Sequence, residues 1–215
     1  SLGEYTALAA AGEFDFSTGL RLVAARGAAM DGASQLKDSG KPALIVVDQA
    51  AAQAVSATTT DDGGRLGEAN LNAPGQIVVA GGAEDIEWVV ANGRHLGVRR
   101  TVPLKVAGAF HSPYMATAAD QLAAALEVTE FGPPRFSVYA NATGGPVTDV
   151  AANLAQQLVS PVRFAAGLEA IAAAGVDTFV HVGPGNVTAG RVKRTVPDAT
   201  VHGVSELDDL PTGAG

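Results

Sequence analysis

Three side chains of this sequence stand where α/β proteins place reactive groups. Ser1 opens "SLGEYTALAAAG", directly before a helix-like run. A serine there fits the nucleophile of a strand-turn-helix elbow, or simply a chain end. His111, in "VAGAFHSPYM", lies at the end of a strand-like run and just before a helix. It reads as an acid–base group or as an ordinary helix-end residue. Arg26, in "RLVAARGAAM", lies on an amphipathic helix beside apolar neighbours. Its planar fork suits bidentate capture of a carboxylate, and a snorkelling side chain is the plainer reading. The loop "VGPGN" before a helix can cradle an anion through backbone N–H groups, or merely turn a strand into a helix.

The elements that must position these residues alternate between helix and strand. Residues 4–11 and 17–34 read as helices, the second with Leu20, Val23 and Met30 near one face and Ser17 as N-cap. Residues 42–48 read as a strand, 49–58 as a helix and 58–67 as a loop. Residues 68–82 read as two strands around an Ala-Pro-Gly turn. Residues 83–97 read as a helix with an acidic first turn, and 98–106 as a strand. This strand-helix-strand-strand-helix-strand order is that of a ferredoxin-like unit, spanning 41–106 and inserted in a larger α/β body of 1–40 and 107–215. The larger body continues with a helix over 112–129, a strand that ends in a turn over 135–144, helices over 149–159 and 162–175, and a strand running into a Gly-Pro-Gly turn over 177–185. A helix over 186–196 and a strand over 200–205 follow, and the tail is expected to fray.

The chain has 215 residues, 47% of them hydrophobic and 17% charged, with no cysteine. That is enough chain for a real core and excludes disulfides and thiolate metal sites. A net charge of −8 argues against general nucleic-acid binding. No apolar run is long enough to span a bilayer, so no membrane role is expected and the cytoplasm is the expected setting.

Taken in order, "SLGEYTALAAAG", "RLVAARGAAM", "NAPGQIVVAGG", "VPLKVAGAFHSPYM", "QLVSPVRF" and "VGPGNVTAGRVKR" resemble the malonyl-CoA:acyl carrier protein transacylases. The related acyltransferase domains of fatty-acid and polyketide synthases share most of these motifs. The resemblance runs from residue 1 to about residue 205. It implies a hydrolase-like parallel-sheet subdomain around the ferredoxin-like one. It also implies that the family's N-terminal segment is missing, with its first strands and a Gly-Gln-Gly loop of the oxyanion hole. The isolated chain is then expected to be inactive.

The implied chemistry is ping-pong acyl transfer. Ser1 matches the family nucleophile and would attack the thioester of malonyl-CoA. His111 would act as general base and acid, oriented by the backbone carbonyl of Gln157 instead of by a carboxylate. The Leu2 N–H would be one oxyanion donor. Arg26 would hold the malonyl carboxylate, which is costly to bury unpaired. Phe110 in "GAFH" would fill the space of an α-methyl group and favour malonyl over methylmalonyl, a preference of about 1–3 kcal/mol. No cofactor or metal is implied beyond the substrate malonyl-CoA. Asn72 and Gln76 match the family by position and read first as structural polar groups of the small subdomain, with lining of the pocket as the lesser alternative.

The implied partner is an acyl carrier protein, and a monomer is expected. Carrier proteins are acidic and so is this chain, so docking needs a local basic patch. Arg191, Lys193 and Arg194, or Arg99, Arg100 and Lys105, could supply one. Asn186, Ala189 and Arg191 depart from the Lys, Thr and Leu of many members, and "SGKPALIVV" lacks the usual Gly-Ala-Met. Two alternatives stay open: a non-catalytic module that binds the carrier protein, and an N-terminal-nucleophile hydrolase in which the Ser1 amine is the base.

Overall fold

The computed structural model describes residues 1–36, 43–46, 49–61, 66–104 and 108–209. The expected strand residues Pro42, Val47, Asp48 and Lys105–Val106, part of the 58–67 loop and the tail lie outside them.

Helix α1 (Gly3–Ala11) turns Glu4, Tyr5, Leu8 and Ala11 inward, the spacing of one helical stripe. It stops at Gly12, whose φ of 90° is a left-handed cap that a Cβ would strain. Helix α2 (Phe16–Leu36) is capped by Asp15 and not by Ser17, because the Thr18 N–H donates to Asp15 Oδ1 at 2.7 Å. Ser17 lies inside the first turn, where its hydroxyl accepts from Arg21. The inward stripe of α2 is Leu22, Arg26, Ala29, Met30 and Ala33. Leu20, expected on that face, is 59% exposed. Two residues from Leu22 in a 3.6-residue period is the opposite side of the helix.

The inward stripes of α1 and α2 meet α5 (Ala116–Glu127) and α6 (Val150–Val159). Their shared core holds Tyr5, Leu8, Leu22, Leu122, Leu126, Leu154 and Leu158. A 3-10 turn, Pro113–Met115, leads into α5, and Ser112 anchors it by donating to Ala109 O at 2.5 Å and accepting from Tyr114 N. Asp149 caps α6 through the Ala152 N–H.

The middle of the chain folds on a separate core. Strands β1 (Ala43–Val46), β2 (Gly67–Ala73), β3 (Gln76–Ala80) and β4 (Arg100–Pro103) form one sheet in the order β2-β3-β1-β4, every pair antiparallel. Pro74 and Gly75, the latter at φ 72°, make the β2–β3 turn. Helices α3 (Gln49–Asp61) and α4 (Ala83–Asn92), with a following 3-10 turn Gly93–Leu96, pack Ala52, Val55, Ile86 and Val89 against Ile77 and Val79. Edge strand β2 joins the larger body: Leu71 N donates to Val162 O and Val162 N to Ala69 O, both at 2.8 Å.

The C-terminal part contains α7 (Phe164–Ala173), β5 (Thr178–Val182), α8 (Val187–Thr195) and β6 (Thr200–Val204). Strands β5 and β6 pair in parallel. They are the whole parallel sheet among the described residues, smaller than expected. Residues 135–144 do not form the expected strand. A ladder needs a partner strand, and the backbone bonds of this stretch go instead to scattered positions (Ala11, Gly145, Val147 and Arg163), with one isolated Tyr139–Pro146 bridge. The fold is α/β, built from helices and two small sheets. Among the described residues no helix is long and apolar enough to cross a membrane.

Candidate active site

The site forms where the start of α1, the middle of α2, the end of α6 and the loop before α5 converge. His111 has φ 58°, a left-handed conformation rare for a residue with a Cβ. Such an outlier persists only where its surroundings hold it. Here the ring is 7% exposed, and Nδ1–H donates to the Gln157 carbonyl at 2.8 Å. That bond leaves Nε2 as the free, basic nitrogen. Burial pushes the His111 pKa down to about 4, opposed by the Gln157 hydrogen bond and aided by the Arg26 cation. At neutral pH the imidazole is uncharged, the form a general base requires.

Arg26 is 8% exposed, and its pKa is lowered chiefly by burial. One of its amino groups donates to Ser1 Oγ at 2.7 Å and to Gln157 Oε1 at 3.4 Å. Its guanidinium lies over the Tyr5 ring, 5.7 Å from the centroid. Its Nε has no partner, and no carboxylate pairs with it among the described residues. A buried cation in that state favours an incoming anion.

Ser1 is exposed and lines a cavity of about 510 Å³ with Asn70, Asn72, Asn141, Arg163 and Arg191. His111 lines a separate cavity of about 380 Å³ with Ser112 and Pro161. Ser1 and His111 share no hydrogen bond: Arg26 occupies the serine hydroxyl and Gln157 the imidazole. The Leu2 N–H sits beside Ser1 at the first turn of α1 with no acceptor among the described residues. Phe110 packs against the main core and lines neither cavity. Asn72, read from sequence as structural, is buried and lines the Ser1 cavity, while Gln76 accepts from Arg194.

The two basic groups do not make one patch. Arg191, Lys193 and Arg194 lie on α8, which packs against β2, whereas Arg99 and Arg100 lie at β4, the opposite edge of the small sheet. Arg191 is half-buried, stacked 5.6 Å from the Phe164 ring centroid, and faces the Ser1 cavity. Lys105 lies outside the described residues.

Sequence reading missed Glu4, Asn141 and Asn153, and named Gln157 only for its main-chain carbonyl. The Glu4 carboxylate is buried and accepts from Gln157 Nε2 at 2.7 Å, Asn141 N at 2.9 Å and Asn153 Nδ2. A glutamate on the same helical stripe as Leu8 and Ala11 was the signal available.

Residues 1–210 match the family model of the acyl transferase domain. The chain belongs to the acyl transferase family. The chain is 36% identical over 197 residues to the malonyl CoA-acyl carrier protein transacylase of Bacillus subtilis, covering 90% of this chain and 62% of that protein. It is 37% identical to that of Synechocystis, over 98% of this chain and 69% of that protein. The solved acyl-carrier-protein S-malonyltransferase of Burkholderia pseudomallei superposes with a TM-score of 0.91 at 34% identity, over 97% of this chain and 69% of that one. A malonyl-transacylase solved in complex with its type II polyketide acyl-carrier protein superposes at 0.87, with 32% identity over 96% of this chain and 67% of that one. The chain thus spans about two thirds of the length of these relatives.

Proposed function

We propose that this acyl transferase moves a malonyl group from malonyl-CoA to the phosphopantetheine thiol of an acyl carrier protein through a malonyl-serine intermediate. The observation that carries this reading is the buried Arg26 guanidinium, unpaired with any described carboxylate and hydrogen-bonded to Ser1 Oγ. A group placed there holds a carboxylate within reach of the serine hydroxyl. The names of the relatives support the same substrate and partner.

In the first half-reaction the substrate carboxylate takes the Arg26 fork, which frees Ser1 Oγ. The hydroxyl attacks the thioester carbonyl while His111 Nε2 takes its proton. The C–S bond breaks, and the proton passes to the departing CoA thiolate. Leu2 N–H supports the oxyanion. In the second half-reaction His111 takes the proton of the carrier thiol, which attacks the acyl-serine and restores the hydroxyl. A malonyl carboxylate on Arg26 also cancels one of the charges that depress His111.

Several finer readings belong with this proposal. The four-stranded sheet with α3 and α4 is read as a ferredoxin-like subdomain over 41–106, and 1–40 with 107–215 as a hydrolase-like catalytic subdomain. The strand order β2-β3-β1-β4 supports the first. The α8 cations are proposed to meet the acidic carrier protein, in a monomeric cytoplasmic enzyme of fatty-acid or polyketide synthesis. A second reading is a module that binds the carrier protein without turnover, favoured by the absent Ser1–His111 hydrogen bond.

The test is intact mass after incubation with malonyl-CoA. The sequence reading expects the chain by itself to be inactive, so turnover by it has to be shown by a stoichiometric adduct that maps to Ser1 and disappears in Ser1→Ala. An adduct of equal yield on Ser1→Ala refutes the assignment. No adduct, with carrier protein still bound, selects the second reading.

A further inference from the structure

Glu4 is 6% exposed, and its hydrogen-bond donors are all neutral, with Arg26 near enough to feel its charge. They come from three separated segments: the main chain at Asn141, the Asn153 side chain and the Gln157 side chain. A buried carboxylate is costly unless hydrogen-bonded, and three donors meet that need. The site calls for an acceptor-only group. A carboxamide offers one acceptor and turns its own NH₂ toward neighbouring donors.

Gln157 is fully buried and is contacted at both ends. Its NH₂ faces Glu4 at 2.7 Å and Ser1 O at 3.4 Å. Its Oε1 faces Arg26 at 3.4 Å, and its main-chain carbonyl holds His111 at 2.8 Å. A glutamine amide can face either way, and only its partners decide. Because Glu4 accepts and cannot donate, it sets the polarity of the row. Reversal would put the Gln157 NH₂ against the guanidinium, donor against donor.

We propose that Glu4 is the positioning residue of this site: it fixes the Gln157 side chain that faces the Arg26 guanidinium, and by tying α1 to the last turn of α6 it places the Gln157 main-chain carbonyl that receives the His111 imidazole. This rests on the transfer reading above for its catalytic consequence, though not for its geometry. Glu4 touches no reacting atom. It lies one helical turn after Ser1, so it also ties the start of α1 to the end of α6.

The experiment compares Glu4→Gln, Asn153→Ala and the swapped double variant Glu4→Gln/Asn153→Asp in the full chain. The first readout is the His111 imidazole by nitrogen-15 NMR, which reports the Nδ1–H bond without any turnover. The second is kcat and KM for malonyl-CoA. Glu4→Gln should shift the His111 Nδ1–H signal and lower kcat/KM roughly tenfold to a hundredfold, the scale of a lost charge-assisted hydrogen bond. Asn153→Ala removes one donor but leaves the Glu4–Gln157 contact, so it should lower thermal stability while leaving the His111 signal in place. The double variant returns a carboxylate to the cluster and frees the residue-4 carbonyl for Gln157, so it should restore the signal.

The inference is overturned if folded Glu4→Gln keeps the unmutated His111 signal. Should Glu4→Gln not fold, the double variant decides: a His111 signal unlike that of the unmutated chain overturns the inference. Absence of malonyl transfer in the unmutated chain would sink the proposed function alone, because the His111 signal still decides for or against Glu4.

Discussion

Replacing Arg26 by alanine should separate two substrates that differ only in a carboxylate. The guanidinium is 8% exposed, stacked on Tyr5, and free of any described carboxylate. A malonyl carboxylate bound to it forms a charge pair in a mostly dry site. Two unit charges 4 Å apart attract by about 4 kcal/mol at an effective dielectric near 20. Losing such a partly desolvated pair should cost about 2–5 kcal/mol, roughly 30- to 5,000-fold in kcat/KM. Acetyl-CoA has no carboxylate and loses nothing of this kind. The same substitution also removes the 2.7 Å bond from Arg26 to Ser1 Oγ. That change acts on the nucleophile and so affects both substrates alike. The informative quantity is therefore the ratio of malonyl to acetyl transfer, measured before and after Arg26→Ala. The ratio should collapse while acetyl transfer persists or rises. Equal losses on both substrates would show that Arg26 only supports the fold, and that the carboxylate is held elsewhere.

His111→Ala should reduce transfer by roughly 10²–10⁴-fold, the usual range for a general acid–base group, and an unchanged rate and pH profile would remove it from the mechanism. His111 also makes stability depend on pH. With its pKa lowered to about 4 from an ordinary 6.5, the unfolded chain binds the extra proton first as pH falls. Its contribution is thus fully present above about pH 6.5 and is lost progressively toward pH 4, a change of about 3 kcal/mol. Denaturant titrations of His111→Asn across that window should show a flatter profile than the unmutated chain, and parallel profiles would contradict the assigned shift. The Tyr5 hydroxyl is buried without a partner. Tyr5→Phe should therefore be neutral or stabilising by up to about 1–2 kcal/mol in chemical denaturation, and a clear destabilisation would reveal a hidden partner.

Much of this protein was legible before any coordinates. The helices α1, α2, α4, α5 and α6 were all expected near their observed places, α2 and α4 from apolar spacing, because a helix that buries one stripe repeats it at the helical period. The Pro-Gly dipeptide marked the β2–β3 turn, where the backbone needs a positive φ. Ser1, Arg26, His111 and Gln157 were named from motifs, and the structure gathers them through direct bonds among Ser1, Arg26, Gln157 and His111. Some local choices were not legible. Asp15 outcompetes Ser17 for the α2 cap because its carboxylate reaches the Thr18 N–H, and nothing in the spacing ranks the two.

Tertiary structure alone decided the rest. Whether 135–144 becomes a strand depends on a neighbour to pair with, which a local pattern cannot report. The positive φ of His111 depends on what surrounds it, and nothing in "GAFHSP" announces it. Glu4 reads in sequence as one acidic residue in a first helical turn, where it would ordinarily face water. Only the folding of α6 and the 141 loop against α1 brings three donors to it and makes its burial tolerable. Residue types set which chemistry was available. The convergence of segments more than a hundred residues apart decided that a carboxylate, an amide, a guanidinium and an imidazole would share one hydrogen-bonded row, because those bonds exist only once the helices have packed.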